Sequence, residues 1–421
     1  MSNYDEVDFF EALDLIEDPY PYFDYLRAKG PAVYLPKHNV VAVTGYKEGV
    51  DVLRDANTFS SINAATGPIP PLPFKPEGDD ITEQLNKFRQ DMPFGSMLVT
   101  QDPPDHTRSR SLLTRLFTPK RLQENEEFIR VIAEKLTQNF VARGKFEAVS
   151  DYAHPMATLT IADLLGVPAG DHEKFLPLFG PLPGQIGGDV DLENNPMMEV
   201  GMHFYNYIEE RRREPKEDVM TELALAKFPD GELPDLTEIV GHAATIFGAG
   251  QDTTVRLIVA MLKNVAEKPE LQEQLRNDYS LIPAFTEEVL RLDGPTKAHF
   301  RMAKTKAKVG DLEVAPGTTI MLMQSAMRRD PEIFENPNEL RLDRKNNMQA
   351  QLAFGKGIHM CLGAPLARAE AKIALQTIFN RTSSIAIDES QHGPAGARHY
   401  EYEKNYTQRA LCAVHLLCTE K

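Results

Sequence analysis

The chain has 421 residues, of which 42% are hydrophobic and 26% charged, and its formal net charge at pH 7 is −16. This composition is ordinary for a soluble globular protein, and the acidic balance argues against nucleic acid or an anionic membrane as a partner, because both need a basic footprint. The first thirty residues are acidic and contain no basic start followed by an apolar run, so we expect a cytoplasmic protein without a signal peptide or membrane anchor.

The N-terminal part of the chain mixes short strands with irregular segments. The stretch AVYLPKHNVVAVTGY, residues 32–46, predicts two short strands around the turn PKHN. Two long irregular stretches follow, residues 66–80 with five prolines and residues 181–196. Loops of this length are uncommon in compact domains and are often lids or binding loops, so both are candidates for covering a pocket.

The middle of the chain predicts one very long helix over residues 236–268, which contain no proline and are followed by Pro269. Asp235 and Glu238 suit a capping box at its start. At 1.5 Å per residue the helix would reach about 50 Å and cross a whole domain. Its centre, GAGQDTT (residues 248–254), is the poorest helix-forming part, because glycine and threonine weaken the hydrogen-bond ladder. Weak helix in mid-span often marks a functional site.

The C-terminal part predicts strands, a polar meander and a further helix. Residues 305–325 are strand-like around the turn APGT, and the meander RRDPEIFENPNELRLDR follows them. A helix is predicted from about residue 363 to residue 380. Helices therefore dominate the chain, with a smaller strand-rich fraction near its two ends.

One of the three cysteines stands at the end of a glycine-punctuated loop, FGKGIHMC at residues 354–361, whereas Cys412 and Cys418 lie in an apolar stretch and are expected to be small buried hydrophobes. Gly355 can adopt a positive φ, and the positive end of the helix that follows favours a thiolate at Cys361. A nucleophile or a metal ligand suits this position better than an inert thiol. There is no local cysteine-protease signature and no zinc-type ligand cluster, so a cofactor that brings its own remaining ligands, such as haem, fits a single thiolate.

The loop FGKGIHMCLG resembles the haem-binding loop of the cytochromes P450, the haem-thiolate monooxygenases, and APLAR continues it as in the soluble bacterial members. The resemblance implies a mainly α fold with a small β-rich lobe, shaped as a triangular prism with a long central helix over haem b. It implies one domain over residues 1–421, with β-rich portions at about 31–60, 298–325 and 385–418. It makes Cys361 the axial iron ligand, within a loop that also contributes Phe354, Gly355 and Gly363.

Further motifs match the family and imply roles for their residues. Within PAFTEEVLRLDGP, Glu288 and Arg291 correspond to the family's structural pair, whose third partner is Arg341 or Arg344 of the meander. AGQDTT resembles the oxygen-activation motif, with Asp252 as the acid and Thr253 as the alcohol of a proton relay. Ala249 and Gly250 would leave room for oxygen. The residues implied in contacts with the haem propionates are His106, Arg110, Arg301 and His359.

The function implied is hydroxylation of an apolar small molecule (a terpenoid, steroid, fatty acyl chain or alkylaromatic) with O2 and two electrons. Because 421 residues leave no fused redox domain, a separate ferredoxin and its reductase would supply the electrons. The alternatives are a haem-binding sensor or carrier without turnover and a peroxide-driven haem oxidant. A monomer is expected.

The candidate substrate contacts are Phe94, Met97, Gly248, Pro295, Ala298 and Tyr406.

Overall fold

The computed structural model describes residues 4–178, 196–345 and 347–421, which form a mainly helical architecture with small sheets. The helices are α1 (Tyr20–Lys29), α2 (Tyr46–Arg54), α3 (Thr82–Phe88), α4 (Asp105–Thr114), α5 (Pro119–Val141), α6 (His154–Leu164), α7 (Pro196–Arg213), α8 (Val219–Ala224), α9 (Leu236–Glu267), α10 (Pro269–Asn277), α11 (Ile282–Asp293), α12 (Gln324–Met327), α13 (Asn347–Ala350), α14 (Ala364–Arg381) and α15 (Glu389–His392). Within these ranges no helix combines the length and hydrophobicity needed to span a bilayer.

The strands form a larger sheet near the N-terminal part, a second sheet near the C-terminus and a hairpin. They are β1 (Ala32–Leu35), β2 (Val40–Val43), β3 (Phe59–Ser60), β4 (Lys145–Glu147), β5 (His299–Ala303), β6 (Ala307–Val309), β7 (Leu312–Val314), β8 (Thr319–Leu322), β9 (Thr382–Ile387) and β10 (His415–Glu420). Among the described residues the larger sheet has the order β1-β2-β8-β5-β3, the smaller sheet has the order β4-β10-β9, and β6 pairs with β7.

The centre of the larger sheet is covered on both faces. β2 and β8 pair in parallel, with Val40 opposite Thr319, while β5 runs antiparallel to β8. All residues of β2 and β8 are buried, which explains the uninterrupted run VVAV in β2. β5 comes directly after α11 and a short loop, and the sheet thereby positions Pro295, Thr296 and His299 at the side of the functional cavity described below.

The long central helix is confirmed as α9. The Asp235 side chain accepts a hydrogen bond from the Thr237 backbone N–H at 2.9 Å, and Pro269 opens the next helix. The helix is continuous through GAGQDTT. There the Thr253 hydroxyl donates to the Ala249 carbonyl at 2.9 Å, the local bonding expected of threonine in a helix. α9 packs against α6, α7, α11 and α14 and forms the axis of the largest hydrophobic cluster.

The buried carboxylate of Glu288 joins α11 to the meander. Its Oε1 accepts from Arg291 Nε at 2.7 Å, from Arg344 Nε at 3.0 Å and from Asn347 Nδ2 at 2.8 Å. Its Oε2 accepts from Arg291 Nη2 at 3.0 Å and from the Arg341 backbone N–H at 2.8 Å. A buried charge is tolerated only when it is paired and fully hydrogen-bonded, as it is here.

The structure distinguishes the two meander arginines. The guanidinium of Arg344 completes the Glu288 network, whereas the Arg341 side chain turns outward and donates to Asp343 at 3.2 Å. Arg341 contributes only its backbone N–H to Glu288, and any residue except proline could supply that group. Sequence spacing could not separate the two arginines, because both lie within reach of α11.

Several expectations from the sequence need correction. Strand β4 was not predicted, because its three residues pair only with β10, more than 260 positions away along the chain. The last β-rich portion begins at Thr382 rather than at 385. Cys418 is buried as expected, but Cys412 is exposed. Of the irregular stretch 181–196, residues 181–195 lie outside the described residues, and the assignment of one domain to 1–421 stays a prediction.

The Glu288 network predicts unequal effects of two alanine substitutions. Arg344→Ala should lower the free energy of unfolding by about 2 kcal/mol, because a buried charged acceptor loses a donor. Arg341→Ala is the matched control and should change it much less, since the backbone N–H to Glu288 is retained. Urea unfolding followed by circular dichroism measures both. An equal loss in the two variants would contradict the assignment of Arg344.

Candidate functional site

The loop before α14 has a conformation that only glycine allows at two positions. Gly355 and Gly357 have φ values of +70° and +73°. A Cβ on Gly357 would lie 2.2 Å from the Leu53 carbonyl oxygen, so the loop also needs glycine to pack against the end of α2. The Cys361 backbone N–H donates to the Phe354 carbonyl at 2.9 Å and closes the loop. Cys361 is thereby placed immediately before the N-terminus of α14.

Cys361 is exposed, and it lines a cavity. Burial raises the pKa of the Cys361 thiol, although backbone N–H groups of Gly363 and Ala364 donate to the sulfur and the Arg110 guanidinium lies nearby. The helix end favours a thiolate, as expected, but desolvation of the sulfur opposes it and has the larger effect on the pKa. A metal bound at this sulfur would deprotonate it outright.

The cavity is bounded by the thiol loop and by α9. The loop and the start of α14 contribute Phe354, His359, Cys361, Leu362, Gly363 and Leu366. From α9 come Thr245, Ile246, Ala249, Gly250 and Thr253, and further walls are formed by Leu98, Val99, Pro295, Thr296 and His299. The fold therefore brings Cys361 and Thr253 to one cavity, although they are more than 100 positions apart in the sequence.

A cluster of basic side chains lies at one end of this cavity. The rings of His106 and His359 have their centroids 4.1 Å apart, and within the described residues neither ring nitrogen of His106 has a hydrogen-bond partner, nor does His359 Nε2. Burial, together with Arg110 and Arg301, lowers the pKa of His106 to about 4 and that of His359 to about 2. Burial lowers the pKa of Arg301 to about 10.

The acid nearest to the basic cluster is already engaged elsewhere. Asp102 accepts from Arg89 Nη2 at 3.1 Å and from the Ser61 backbone N–H at 2.8 Å. Among the residues that the structure describes, the cluster therefore holds buried nitrogens without hydrogen-bond partners, and no carboxylate pairs with Arg110 or Arg301. An anionic ligand with two carboxylates would supply the missing partners.

Comparisons with known proteins agree with this geometry. The Cytochrome P450 family model matches residues 174–394. The substrate-free structure of CYP150A6 from Mycobacterium marinum is 44% identical, with a TM-score of 0.93, and the match covers 99% of this chain and 100% of that one. The putative cytochrome P450 YjiB of Bacillus subtilis is 30% identical over 370 residues, 86% of this chain and 87% of the relative.

The chain belongs to the cytochrome P450 family. Its predicted fold class is confirmed, and it is a P450 monooxygenase whose cofactor is haem b. CYP109E1 from Bacillus megaterium, solved in complex with corticosterone, is 27% identical with a TM-score of 0.78, and the match covers 96% of this chain and 99% of that one.

The cavity of this P450 fits haem b on three observations of its own. It has one thiol open to it, which is the single protein ligand that a porphyrin iron needs. It has unpartnered histidine nitrogens and buried guanidinium groups at one end, which suit two propionates. Its remaining walls are mainly hydrocarbon, as expected around an apolar macrocycle.

The acid and the alcohol of AGQDTT face different surroundings. Thr253 lines the cavity, whereas both carboxylate oxygens of Asp252 accept from Arg256, at 2.7 Å from Nε and 2.5 Å from Nη2. Ala249 and Gly250 also line the cavity. A Cβ on Gly250 would lie 2.9 Å from the Ile161 side chain, so this glycine also allows the close packing of α9 on α6.

The predicted substrate contacts are only partly brought together. Pro295 lines the cavity. Ala298 and Tyr406 instead pack in a hydrophobic cluster with Phe10 and Phe300, and the Tyr406 hydroxyl donates to the Thr66 carbonyl at 2.9 Å, so their predicted wall position is corrected. The predicted contacts that also lie outside the cavity lining are Phe94, Met97 and Gly248.

Sequence reasoning missed four wall residues of α9: Thr245, Ile246, Thr254 and Leu257. Thr245 lies one helical turn before Ala249 and two turns before Thr253, on the same face of the helix. The four-residue spacing from the oxygen-activation motif was the signal that could have found it. Val99 was also missed, and because it follows an irregular segment no periodicity pointed to it.

Proposed function

We propose that this P450 hydroxylates an apolar small molecule, with Cys361 as the axial iron ligand and with electrons from a separate ferredoxin. The observation that carries the proposal is that the Cys361 thiol and the Thr253 hydroxyl belong to the walls of one largely apolar cavity. A haem carrier or sensor would need neither the Thr253 hydroxyl in the cavity nor the buried acid Asp252 directly before it on α9.

The residues of this chain would hold the cofactor in a defined orientation. Arg110, Arg301, His106 and His359 form the end that receives the propionates, by charge-assisted hydrogen bonds. Phe354, whose ring lies 4.5 Å from the Arg368 guanidinium, would pack near the sulfur, and Gly355 and Gly363 would let the loop backbone approach the macrocycle. When bound, the haem supplies the binding and reduction of O2 and the transfer of one oxygen atom to the substrate.

The acid–alcohol pair would control protons on the α9 side of the cavity. The Thr253 hydroxyl donates to Ala249 in the described state and can instead donate into the cavity by rotating about χ1. Asp252 would bring protons from solvent to Thr253. Ala249 has only a methyl group there and leaves space beside the hydroxyl.

The substrate proposed is a terpenoid, steroid, fatty acyl chain or alkylaromatic. Leu98, Val99 and Ile246 present hydrocarbon to the cavity, and Thr245 and Thr296 add a few polar groups that could orient a substrate. The complex of CYP109E1 with corticosterone supports a steroid as one member of this class.

The electron donor proposed is a ferredoxin that docks on basic residues around the thiol loop. The basic residues proposed for this face are Arg108, Arg115, Lys120, Lys356, Arg368 and Lys372. Three of them pair with acids within the protein: Arg108 with Glu232 and Asp230, Arg368 with Glu287 at 2.5 Å, and Lys120 with Glu124 at 3.8 Å. The residues of this set that remain to attract an acidic partner are Arg115, Lys356 and Lys372. The cytoplasmic location and the monomeric state stay predictions.

Thr253→Ala tests the proposed role of the hydroxyl. We expect O2 and NAD(P)H consumption to continue while product per electron pair falls about tenfold and peroxide appears, because proton delivery is lost. Thr245→Ala removes an equally back-bonded hydroxyl two turns earlier on the same helix face; it can alter substrate binding but should leave the peroxide yield per electron pair unchanged. Product and peroxide yields measure the coupling, and unchanged coupling in Thr253→Ala would contradict the role.

The substrate class is tested by spectral titration of the haem over a library of the four proposed apolar types. At least one type should shift the haem spectrum at micromolar concentration. Ile246→Ala should weaken that ligand about tenfold, because it removes buried hydrocarbon contact. Val131→Ala on the exposed side of α5, 57% exposed, is the control. A chain that responds only to strongly polar ligands would contradict the proposal.

Lys356→Glu tests the ferredoxin face. Reduction of the P450 by ferredoxin at low salt should slow about tenfold and lose much of its salt dependence, because a steering charge is reversed. Lys145→Glu, in the exposed part of β4, makes the same charge change away from the thiol loop. Stopped-flow reduction kinetics measure both. If the two variants behave alike, docking does not use this face.

A further inference from the structure

Lys297 is an almost fully buried lysine in a segment that forms part of the cavity wall. The residue is only 2% exposed. It lies between α11 and β5, directly after the wall residues Pro295 and Thr296 and two positions before the wall residue His299. Burying an ammonium group is costly unless a carboxylate or several hydrogen-bond acceptors surround it. The partners of Lys297 therefore decide whether this lysine serves the fold or a ligand.

The ammonium group of Lys297 has no partner within the protein. Among the residues that the structure describes, no carboxylate forms an ion pair with Lys297 Nζ and no acceptor forms a hydrogen bond with it. Asp293, the last residue of α11, pairs instead with Arg409 at 3.6 Å and accepts from Asn264 Nδ2 at 3.0 Å. Burial and the positive charge of Arg409 lower the pKa of Lys297 to about 7.

The position of Lys297 is fixed by its backbone. Its N–H donates to the Thr407 carbonyl at 2.7 Å, and its carbonyl accepts from the Ser325 backbone N–H at 3.2 Å. The next residue, Ala298, packs in a separate hydrophobic cluster. Side chains alternate between the two sides of a strand, so those of Lys297 and His299, on either side of Ala298, face away from that cluster. His299 lines the cavity, and Lys297 is on the same side.

Lys297 is distinct from the basic cluster that suits the haem propionates. In that cluster, burial and the charges of Arg301 and Arg110 lower the pKa of His359. The charge that acts on Lys297 is instead that of Arg409. The propionates therefore have their own set of donors, and Lys297 remains available to a second anion.

We propose that Lys297 binds the carboxylate of an acidic, otherwise apolar substrate. This rests on the proposed function and narrows its substrate class to molecules that carry a carboxyl group. One ammonium balances one negative charge, which favours a carboxylate over a phosphate. In a mainly hydrocarbon cavity, one charge-assisted hydrogen bond fixes the orientation of the substrate and leaves its apolar part to the walls. A neutral molecule of the same shape leaves the lysine without a partner and binds less tightly.

The test compares acids with their methyl esters in spectral titrations of the haem-loaded protein at pH 7. The probes are dodecanoic, abietic, lithocholic and 4-butylbenzoic acids, each with its methyl ester, which keeps the hydrocarbon and loses the charge. At least one acid should bind about tenfold more tightly than its ester, because it forms a charge-assisted hydrogen bond. In Lys297→Met, which has a side chain of similar length without charge, that acid should lose its advantage.

Lys304→Met is the matched control. Lys304 is also buried, but its Nζ donates to the Ala56 carbonyl at 2.8 Å, so it has a structural partner. The preference for the acid should persist in Lys304→Met. Thermal unfolding adds a readout that separates the two lysines. Lys304→Met should lower the unfolding temperature, because a carbonyl loses its donor, whereas Lys297→Met should not, because it removes a buried ammonium without a partner.

The role of Lys297 is overturned if no acid binds more tightly than its ester, or if the preference persists in Lys297→Met. It is also overturned if Lys297→Met is less stable than the unmodified chain, because the lysine then serves the fold. When the esters still shift the haem spectrum, the proposed hydroxylation of an apolar molecule stands and only the carboxylate site fails. When neither acids nor esters shift the spectrum, the proposed function fails with it.

Discussion

The Cys361 sulfur has to remain open to a cavity while the loop that carries it is held on every other side, and much of the fold serves this requirement. Two adjacent residues of α11 provide the support. Glu287 pairs with Arg368 of α14 and accepts from Gln351 Nε2 at 3.2 Å, while Glu288 gathers Arg291 and Arg344. One helix thus anchors both the helix that follows the thiol and the meander that precedes it. The close contact of Gly357 with Leu53 ties the loop to the N-terminal lobe as well.

The two faces of α9 divide the chemistry between them. Consecutive helical residues point about 100° apart, so Thr253 can line the cavity while Asp252 points back to Arg256. Behind the helix both carboxylate oxygens of Asp252 accept hydrogen bonds from Arg256, and the acid does not line the apolar cavity. The acid and the alcohol are therefore held apart, and the proposed proton delivery would need a side-chain rotation of Asp252.

The sequence predicted the parts of the molecule that depend on local pattern. The length of α9, the strands around PKHN and the glycine positions of the thiol loop all follow from propensity, periodicity and φ, and the structure confirms them. Contacts between distant segments could not be read in this way. The choice of Arg344, the pairing of β4 with β10 and the placement of Tyr406 in another core depend on packing, and the pKa of Cys361 depends on burial that no local motif reveals.

The bond from the sulfur of residue 361 to iron is the claim on which the roles of all other site residues depend. The absorption spectrum of the purified, reduced protein under carbon monoxide measures it most directly. The account predicts the red-shifted band that a thiolate-ligated porphyrin gives, and its loss in Cys361→His with haem still bound. A protein that is colourless after haem is supplied, or a carbon monoxide adduct without the red shift, would contradict it.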